Sequence, residues 1–208
     1  AGVTINQLMQ AVAQSLPSMA EMLRRYASEQ LRNAATIGGN IANGSPIGDT
    51  SPALIALGAK VTLRNGTVQR EVQLEDFFIA YGKQNREEGD FVAKLTIPFV
   101  KKDNLFAIHK ISKRRDEDIS ALCGAFNVQL DNGKIVDAVI AYGGMAGTPK
   151  RAKHVEAAMV GQDWTLDTIR LAMAEFEKDF TPLSDWRASA DYRALTAKNL
   201  LQRFFVEM

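Results

Sequence analysis

The sequence predicts an α+β fold in two lobes that meet near residue 103. Apolar residues recur at helical spacing before residue 26 and again after residue 165. Between these blocks lie short apolar or alternating runs, paired across the turn signals Asn65-Gly66 and Asp131-Asn132-Gly133. A polar junction, Lys101-Lys102-Asp103-Asn104, follows Pro98, which cannot donate to a strand ladder. Neither an internal repeat nor a low-complexity linker interrupts the chain.

Thr4 and Gln7 have the form of a capping box, and Ile5, Leu8, Met9, Val12 and Leu16 repeat behind them, so a helix is expected from Thr4 to Leu16. Pro17 can open a second helix whose face carries Met19, Met22, Leu23 and Tyr26. Residues 34–52 show little periodicity and read as a long loop, a length that in a compact fold usually signals function. Pro52 to Leu57 reads as a short helix closed by Gly58. Val61–Leu63, Val68–Leu74 and Phe91–Ile97 read as strands. Phe106–Ile111, Ala121–Leu130 and Ile135–Tyr142 form an expected three-stranded meander. Three helices should follow: one capped by Thr148 with Pro149 in its first turn, one capped by Thr165 with a Leu166/Ile169/Met173/Phe176 stripe, and one led by Ser189.

Composition narrows the function. Lys plus Arg number 25 against 24 acids, a net charge of +1, which provides no field to gather nucleic acid. Lys101-Lys102 and Lys113-Arg114-Arg115 are basic pairs and triplets without interleaved aromatics, so a polyanion-binding role is disfavoured. One cysteine, Cys123, and two histidines, His109 and His154, cannot build a zinc site or an iron–sulfur cluster. Cys123 sits in an apolar strand pattern and reads as a small buried hydrophobe, and both histidines as structural or surface residues. No apolar run is long enough to span a membrane and no signal peptide opens the chain, so a cytoplasmic protein is expected. The opening Ala1-Gly2-Val3 has no initiator methionine and suggests a processed or excised piece.

The segment from Asn33 to Thr50 is the most informative. Its adjacent glycines allow close backbone approach to a ligand, and its Thr, Asn and Ser side chains are short hydrogen-bonding arms suited to a phosphate or polyol. Neither a Walker loop nor a Gly-x-Gly-x-x-Gly fingerprint is present. By composition alone such a segment is more often a plain connector than a site.

Thr36-Ile37-Gly38-Gly39-Asn40-Ile41-Ala42-Asn43-Gly44-Ser45-Pro46-Ile47-Gly48-Asp49 resembles the second flavin-contacting loop of the FAD domains of molybdenum hydroxylases, the xanthine dehydrogenase family. Lys110 to Ile119 and Tyr142 to Ala152 resemble later segments of that family in the same order, and the similarity extends over essentially the whole chain. Asn43-Gly44-Ser45-Pro46-Ile47 is closer to the xanthine dehydrogenase branch than to the carbon monoxide dehydrogenase flavoproteins. The resemblance implies a second FAD-binding subdomain of the vanillyl-alcohol-oxidase/PCMH-like type over residues 1–103 and a carbon monoxide dehydrogenase flavoprotein-type C-terminal domain, a three-stranded antiparallel sheet with a helical bundle, over 104–208. It implies that Thr36, Gly38, Gly39, Asn40 and Asn43 contact the pyrophosphate and ribityl part of FAD and that Asp49 holds a hydroxyl. Tyr26 falls where the family stacks an aromatic on adenine, an anchor of about 1–3 kcal/mol, although a core position on a helix accounts for it equally well. Leu95 and Lys110 match positions lining the flavin ring, and Lys113 to Asp118 resembles the loop beside the ring that affects nicotinamide access.

The family's scheme implies a parent oxidoreductase that hydroxylates a purine at a molybdenum cofactor, with electrons crossing iron–sulfur clusters to FAD and then to NAD. The molybdenum and iron–sulfur centres would lie on partner domains or subunits, and no side chain here would act as nucleophile or general base. The family's first glycine-rich FAD lobe does not precede the helix pair here, which leaves an alternative: a cofactor-free interaction module that binds FAD only together with that lobe and its partners.

Overall fold

The computed structural model describes residues 1–101 and 103–208; Lys102, half of the lysine pair weighed above, lies outside the described residues. The chain opens with helices α1 (Ile5–Val12), α2 (Pro17–Arg24), α3 (Glu29–Ala34), α4 (Ile37–Asn43) and α5 (Thr50–Ala56). The capping box on α1 is present in both directions, with Gln7 N–H donating to Thr4 Oγ1 at 3.2 Å and Thr4 N–H to Gln7 Oε1 at 2.9 Å. The helix stops at Val12 rather than reaching Leu16. Leu16 adopts φ −139°, ψ 65°, because a residue ahead of proline is pushed out of the helical region, and its side chain is buried before α2. Tyr26 falls outside α2, beyond its C-cap Arg25, rather than on its face.

Residues 34–52 are not one long loop: α4 and the start of α5 occupy most of them, leaving 44–49 as the connector. Thr36 accepts the Gly39 N–H at 3.1 Å and caps α4, which ends at Gly44. Two glycines and two asparagines give this helix little intrinsic propensity, and only Ile37 and Ile41 mark its apolar side. Burial of those two isoleucines in the core supplies what propensity does not.

Strands β1 (Lys60–Asn65) and β2 (Val68–Gln73) form the expected hairpin. Asn65 pairs with Val68 and stays in the strand, so Gly66-Thr67 makes the turn, with Gly66 at φ +56°. Helix α6 (Leu74–Phe77), β3 (Phe78–Ala80), β4 (Lys83–Gln84) and β5 (Phe91–Thr96) follow, and β5 completes an antiparallel sheet of order β2-β1-β5.

The meander is β6 (Asn104–Ile111), β7 (Leu122–Asp131) and β8 (Lys134–Gly143), extended at one edge by a two-residue strand β9 (Lys150–Arg151). In the β7–β8 turn Asn132 and Gly133 both have positive φ, 49° and 79°, the requirement of a tight two-residue hairpin. Helices α7 (Lys153–Met159), α8 (Leu166–Met173), α9 (Phe176–Asp179) and α10 (Ala190–Glu207) close the chain. Thr165 and Ser189 cap α8 and α10 as expected. Thr148-Pro149 does not start α7: Lys150-Arg151 is drawn into the sheet, and the Asp179 carboxylate accepts the His154 and Val155 N–H groups instead.

The β6–β9 sheet is buried on both faces. Along β7, Cys123 and Ala125 point into a core shared with α1, α2, α4 and α5, while Leu122, Phe126 and Val128 point into a second core shared with α7, α8 and α10. Period-two alternation between two apolar faces is why this strand reads as one continuous apolar run. Phe126 stacks on Phe204 at 4.9 Å and meets Tyr142 edge-on at 5.8 Å, contacts that large-to-small substitution would forfeit at about 3–5 kcal/mol.

Candidate functional site

The same strand parity places Lys110. On β6, Ile108 joins the first core and Ala107 the second, so Lys110 shares the Ile108 face and points toward the first group of helices, while His109 points the other way onto Phe126. Asp49, at the N-cap of α5, waits there. Lys110 Nζ lies 2.5 Å from Asp49 Oδ2 and donates to Ser120 Oγ at 2.7 Å, and Ser120 Oγ donates to Asp49 Oδ1 at 2.5 Å. The three are 5%, 5% and 1% exposed, so their charges and hydroxyl satisfy one another away from water. Cys123 lies beneath them, with Sγ 3.9 Å from the Asp49 carbonyl. Burial, and then the negative charge of Asp49, push its thiol well above the usual range, so it is no nucleophile.

This triad forms one wall of a cleft of about 510 Å³ whose other walls include Tyr26, Asn40, Asn43 and Ile47. Tyr26, just past the end of α2, packs against the first core and also lines the cleft. Asn40 Nδ2 donates to its hydroxyl at 3.1 Å, and Thr50 Oγ1 donates to Asn40 Oδ1, so α4 and α5 fix both arms of the amide. The fourth side of the cleft is the β6–β7 loop, residues 112–121, through Glu117, Asp118 and Ile119. Arg25 anchors that loop by donating to Lys110 O at 2.9 Å, Arg115 O at 2.8 Å and Ser112 Oγ at 3.2 Å, and Arg24 reaches Asp116 at 3.2 Å. The Arg114 N–H holds the Asp118 carboxyl below the usual range.

The structure therefore gathers Tyr26, Asn40, Asn43, Asp49 and Lys110 around one space. Thr36, Gly38, Gly39 and Leu95 do not line it. Gly38 N–H donates to Ala1 O at 2.9 Å, and a Cβ there would meet Ala1 Cβ at 2.3 Å. Gly39 N–H is taken by Thr36, and Leu95 sits on β5 in register with Val61, packed on the first core. Ser120 was missed by sequence reasoning, since a serine trailing a charge run carries no local signal; only the pairing of β6 with β7 brings it to Lys110.

A second cleft, of about 390 Å³, lies between α6 and the β9–α7 segment. Several of its charged groups are partnered: Arg151 with Glu75 and Glu156, Lys178 with Glu175, and His154 with Asp179. The first cleft presents a phenol, two amides and a charged pair whose remaining donors and lone pairs suit a polyol with a polar ring system, and those residues fit the sugar and ring part of a dinucleotide cofactor. At the start of α4 the backbone donors are engaged by the chain's own Val3 and Ala1 carbonyls, so a pyrophosphate there would have to displace residues 1–3.

Residues 1–100 match the family model of the FAD binding domain in molybdopterin dehydrogenase, and residues 107–208 match that of the CO dehydrogenase flavoprotein C-terminal domain. The chain is 33% identical over 200 residues to nicotinate hydroxylase of Emericella nidulans, an alignment that covers 91% of this chain and 15% of that protein. It is 30% identical over 197 residues to the glyceraldehyde dehydrogenase medium chain of Sulfolobus acidocaldarius, covering 95% of this chain and 69% of that one. The structure superposes on a chain of CO dehydrogenase from Oligotropha carboxidovorans with a TM-score of 0.88 at 29% identity, over 96% of this chain and 70% of that one. The chain thus spans a small part of the first of these relatives and about 70% of the other two. Among the described residues, no helix is long and apolar enough to cross a membrane.

Proposed function

Because the chain belongs to the family of FAD-binding domains of molybdopterin dehydrogenases, we propose that it is the flavin-holding portion of a molybdenum hydroxylase, relaying electrons from iron–sulfur clusters on a partner region through FAD to NAD. The observation that carries this reading is the convergence of Tyr26, Asn40, Asn43, Asp49 and Lys110, from four separate stretches of chain, on one cleft. In this reading residues 1–103 supply most of the cradle and residues 104–208 supply Lys110 and the loop beside the ring. Segment Asn43-Gly44-Ser45-Pro46-Ile47 supports a xanthine dehydrogenase-like parent, hence a purine substrate at the molybdenum centre and a cytoplasmic setting.

FAD, when bound, supplies the redox chemistry. The chain's own groups would position it: the Tyr26 ring would offer a stacking face, the Asn40 and Asn43 amides would meet its oxygens, and Asp49 would accept from a hydroxyl with lone pairs left free by its two partners. Lys110 would supply a fixed positive charge to a flavin ring held in the cleft, which favours its reduced form. Leu95, Thr36, Gly38 and Gly39 belong to this reading through the resemblance alone. A cofactor-free interaction module is the less favoured alternative.

Titration of the chain with FAD, followed by flavin fluorescence and absorbance, tests the proposal. Stoichiometric binding at micromolar FAD or below, weakened at least tenfold in both Tyr26→Leu and Asp49→Asn, supports it. Saturable binding that ignores both substitutions would overturn the site, and no binding would favour the alternative.

A further inference from the structure

We propose that Ser120 is a positioning residue that sets the direction and effective charge of the Lys110 ammonium, an inference that rests on the flavin reading for its functional consequence but not for its geometry. A buried lysine beside an aspartate needs no third partner to be neutralised. Here a hydroxyl is inserted between them, accepting from Lys110 Nζ at 2.7 Å and donating to Asp49 Oδ1 at 2.5 Å, while Asp49 Oδ2 holds Nζ at 2.5 Å. This closed ring fixes two of the three ammonium protons, and the third has no partner among the described residues although the group is almost sealed. Lys110, Asp49 and Ser120 all line the cleft, so the unshared proton is the one available to whatever occupies it.

The hydroxyl also moderates the pair. By donating to Asp49 Oδ1 it draws on the carboxylate's negative charge and leaves more of the lysine's positive charge unshared. Without it, Asp49 is free to close on Lys110 with both oxygens, and the field reaching the cleft falls. Ser120 lies two residues before β7, near the end of the β6–β7 loop, so its position depends on strand pairing rather than on the exposed charge run ahead of it. The carbonyl of the next residue, Ala121, accepts from the buried Arg193 at 3.0 Å, which holds this end of the loop from the opposite face of the sheet.

The test compares Ser120→Ala, Ser120→Cys, which keeps the shape but not a strong hydrogen bond, and Ser120→Thr, which keeps the hydroxyl. The first readout uses the flavin-free chain: the slowly exchanging Lys110 Nζ resonance by nitrogen-15 NMR. It is expected in the wild type and in Ser120→Thr, and lost or shifted in Ser120→Ala and Ser120→Cys. The second uses the FAD-loaded chain: the preference for reduced over oxidised flavin should fall about tenfold in the Ala and Cys variants, equivalent to ~30 mV for a two-electron couple, and recover in Ser120→Thr. A Lys110 resonance unchanged in Ser120→Ala and Ser120→Cys, with only thermal stability reduced, would overturn the proposal. Failure of the wild type to take up FAD would sink the flavin reading, while the Lys110 resonance would still decide the role of Ser120.

Discussion

Arg193, on α10, sits 3% exposed with its Nη2 2.8 Å from both carboxylate oxygens of Asp185, eight residues earlier in the chain. Its Nε reaches across to the Ala121 carbonyl at 3.0 Å and its Nη1 to that of Leu183, so one guanidinium ties the last helix, the loop before it and the end of the β6–β7 loop together. Arg193→Met keeps most of the volume but orphans these acceptors. A loss of about 1–3 kcal/mol is expected in urea unfolding, because the guanidinium end is buried while Asp185 is exposed and can be resolvated.

Asp185 gives that link a pH dependence. Partial burial pushes its carboxyl upward, but the Arg193 guanidinium and the Ala188 and Arg187 N–H groups outweigh it and hold the pKa at about 2, against 3.8 unfolded. A depressed carboxyl pKa contributes stability that is complete above pH ~4 and is lost as pH falls toward 2. The stability difference between wild type and Asp185→Asn should therefore be constant from pH 7 to 5 and shrink steadily below pH 4.

The buried pair of Asp49 and Lys110 should behave asymmetrically. Asp49→Asn or Lys110→Met alone leaves an uncompensated charge and is expected to cost about 3–5 kcal/mol, whereas the double variant recovers a large part of that loss. A double-mutant cycle in denaturant measures the coupling; additive single effects would contradict the geometry.

Gly144 follows β8 at φ +85°, and a Cβ there would lie 2.5 Å from the Ala121 carbonyl oxygen, which is backbone and cannot step aside. Gly133 has a similar φ of +79° with open space around it. Gly133→Ala should cost about 1 kcal/mol and Gly144→Ala distinctly more, with the larger loss accompanied by weaker FAD binding because Ala121 adjoins Ser120.

His109 is buried on the second core. Burial first, then the positive charge of Arg203, lower its pKa below 6.5, with Glu207 3.5 Å away opposing them. A base with a depressed folded pKa contributes stability above the unfolded pKa that is lost as pH falls through 6.5 toward the folded value. His109→Gln should flatten the stability profile between pH 7 and 5.5 and leave the Asp185 window below pH 4 in place.

The sequence by itself determined the alternation of the strands, the β7–β8 turn, the caps at Thr4, Thr165 and Ser189, and the identity of the segment around Asn40 and Asp49, because each is encoded by residues within a few positions of one another. It misjudged what depends on distant partners. Helix α4 has no periodicity worth the name and forms because Ile37 and Ile41 are buried against the core. Thr148-Pro149 has the form of a helix start, yet the sheet edge claims Lys150-Arg151 and a carboxylate from α9, Asp179, caps the helix that follows. Ser120 became part of the candidate site only when β6 and β7 paired and brought residues 49, 110 and 120 within hydrogen-bonding reach. Local patterns fix elements because backbone conformation is a short-range property; a buried charge and its partners are fixed by desolvation, which acts only once the whole chain has closed around them.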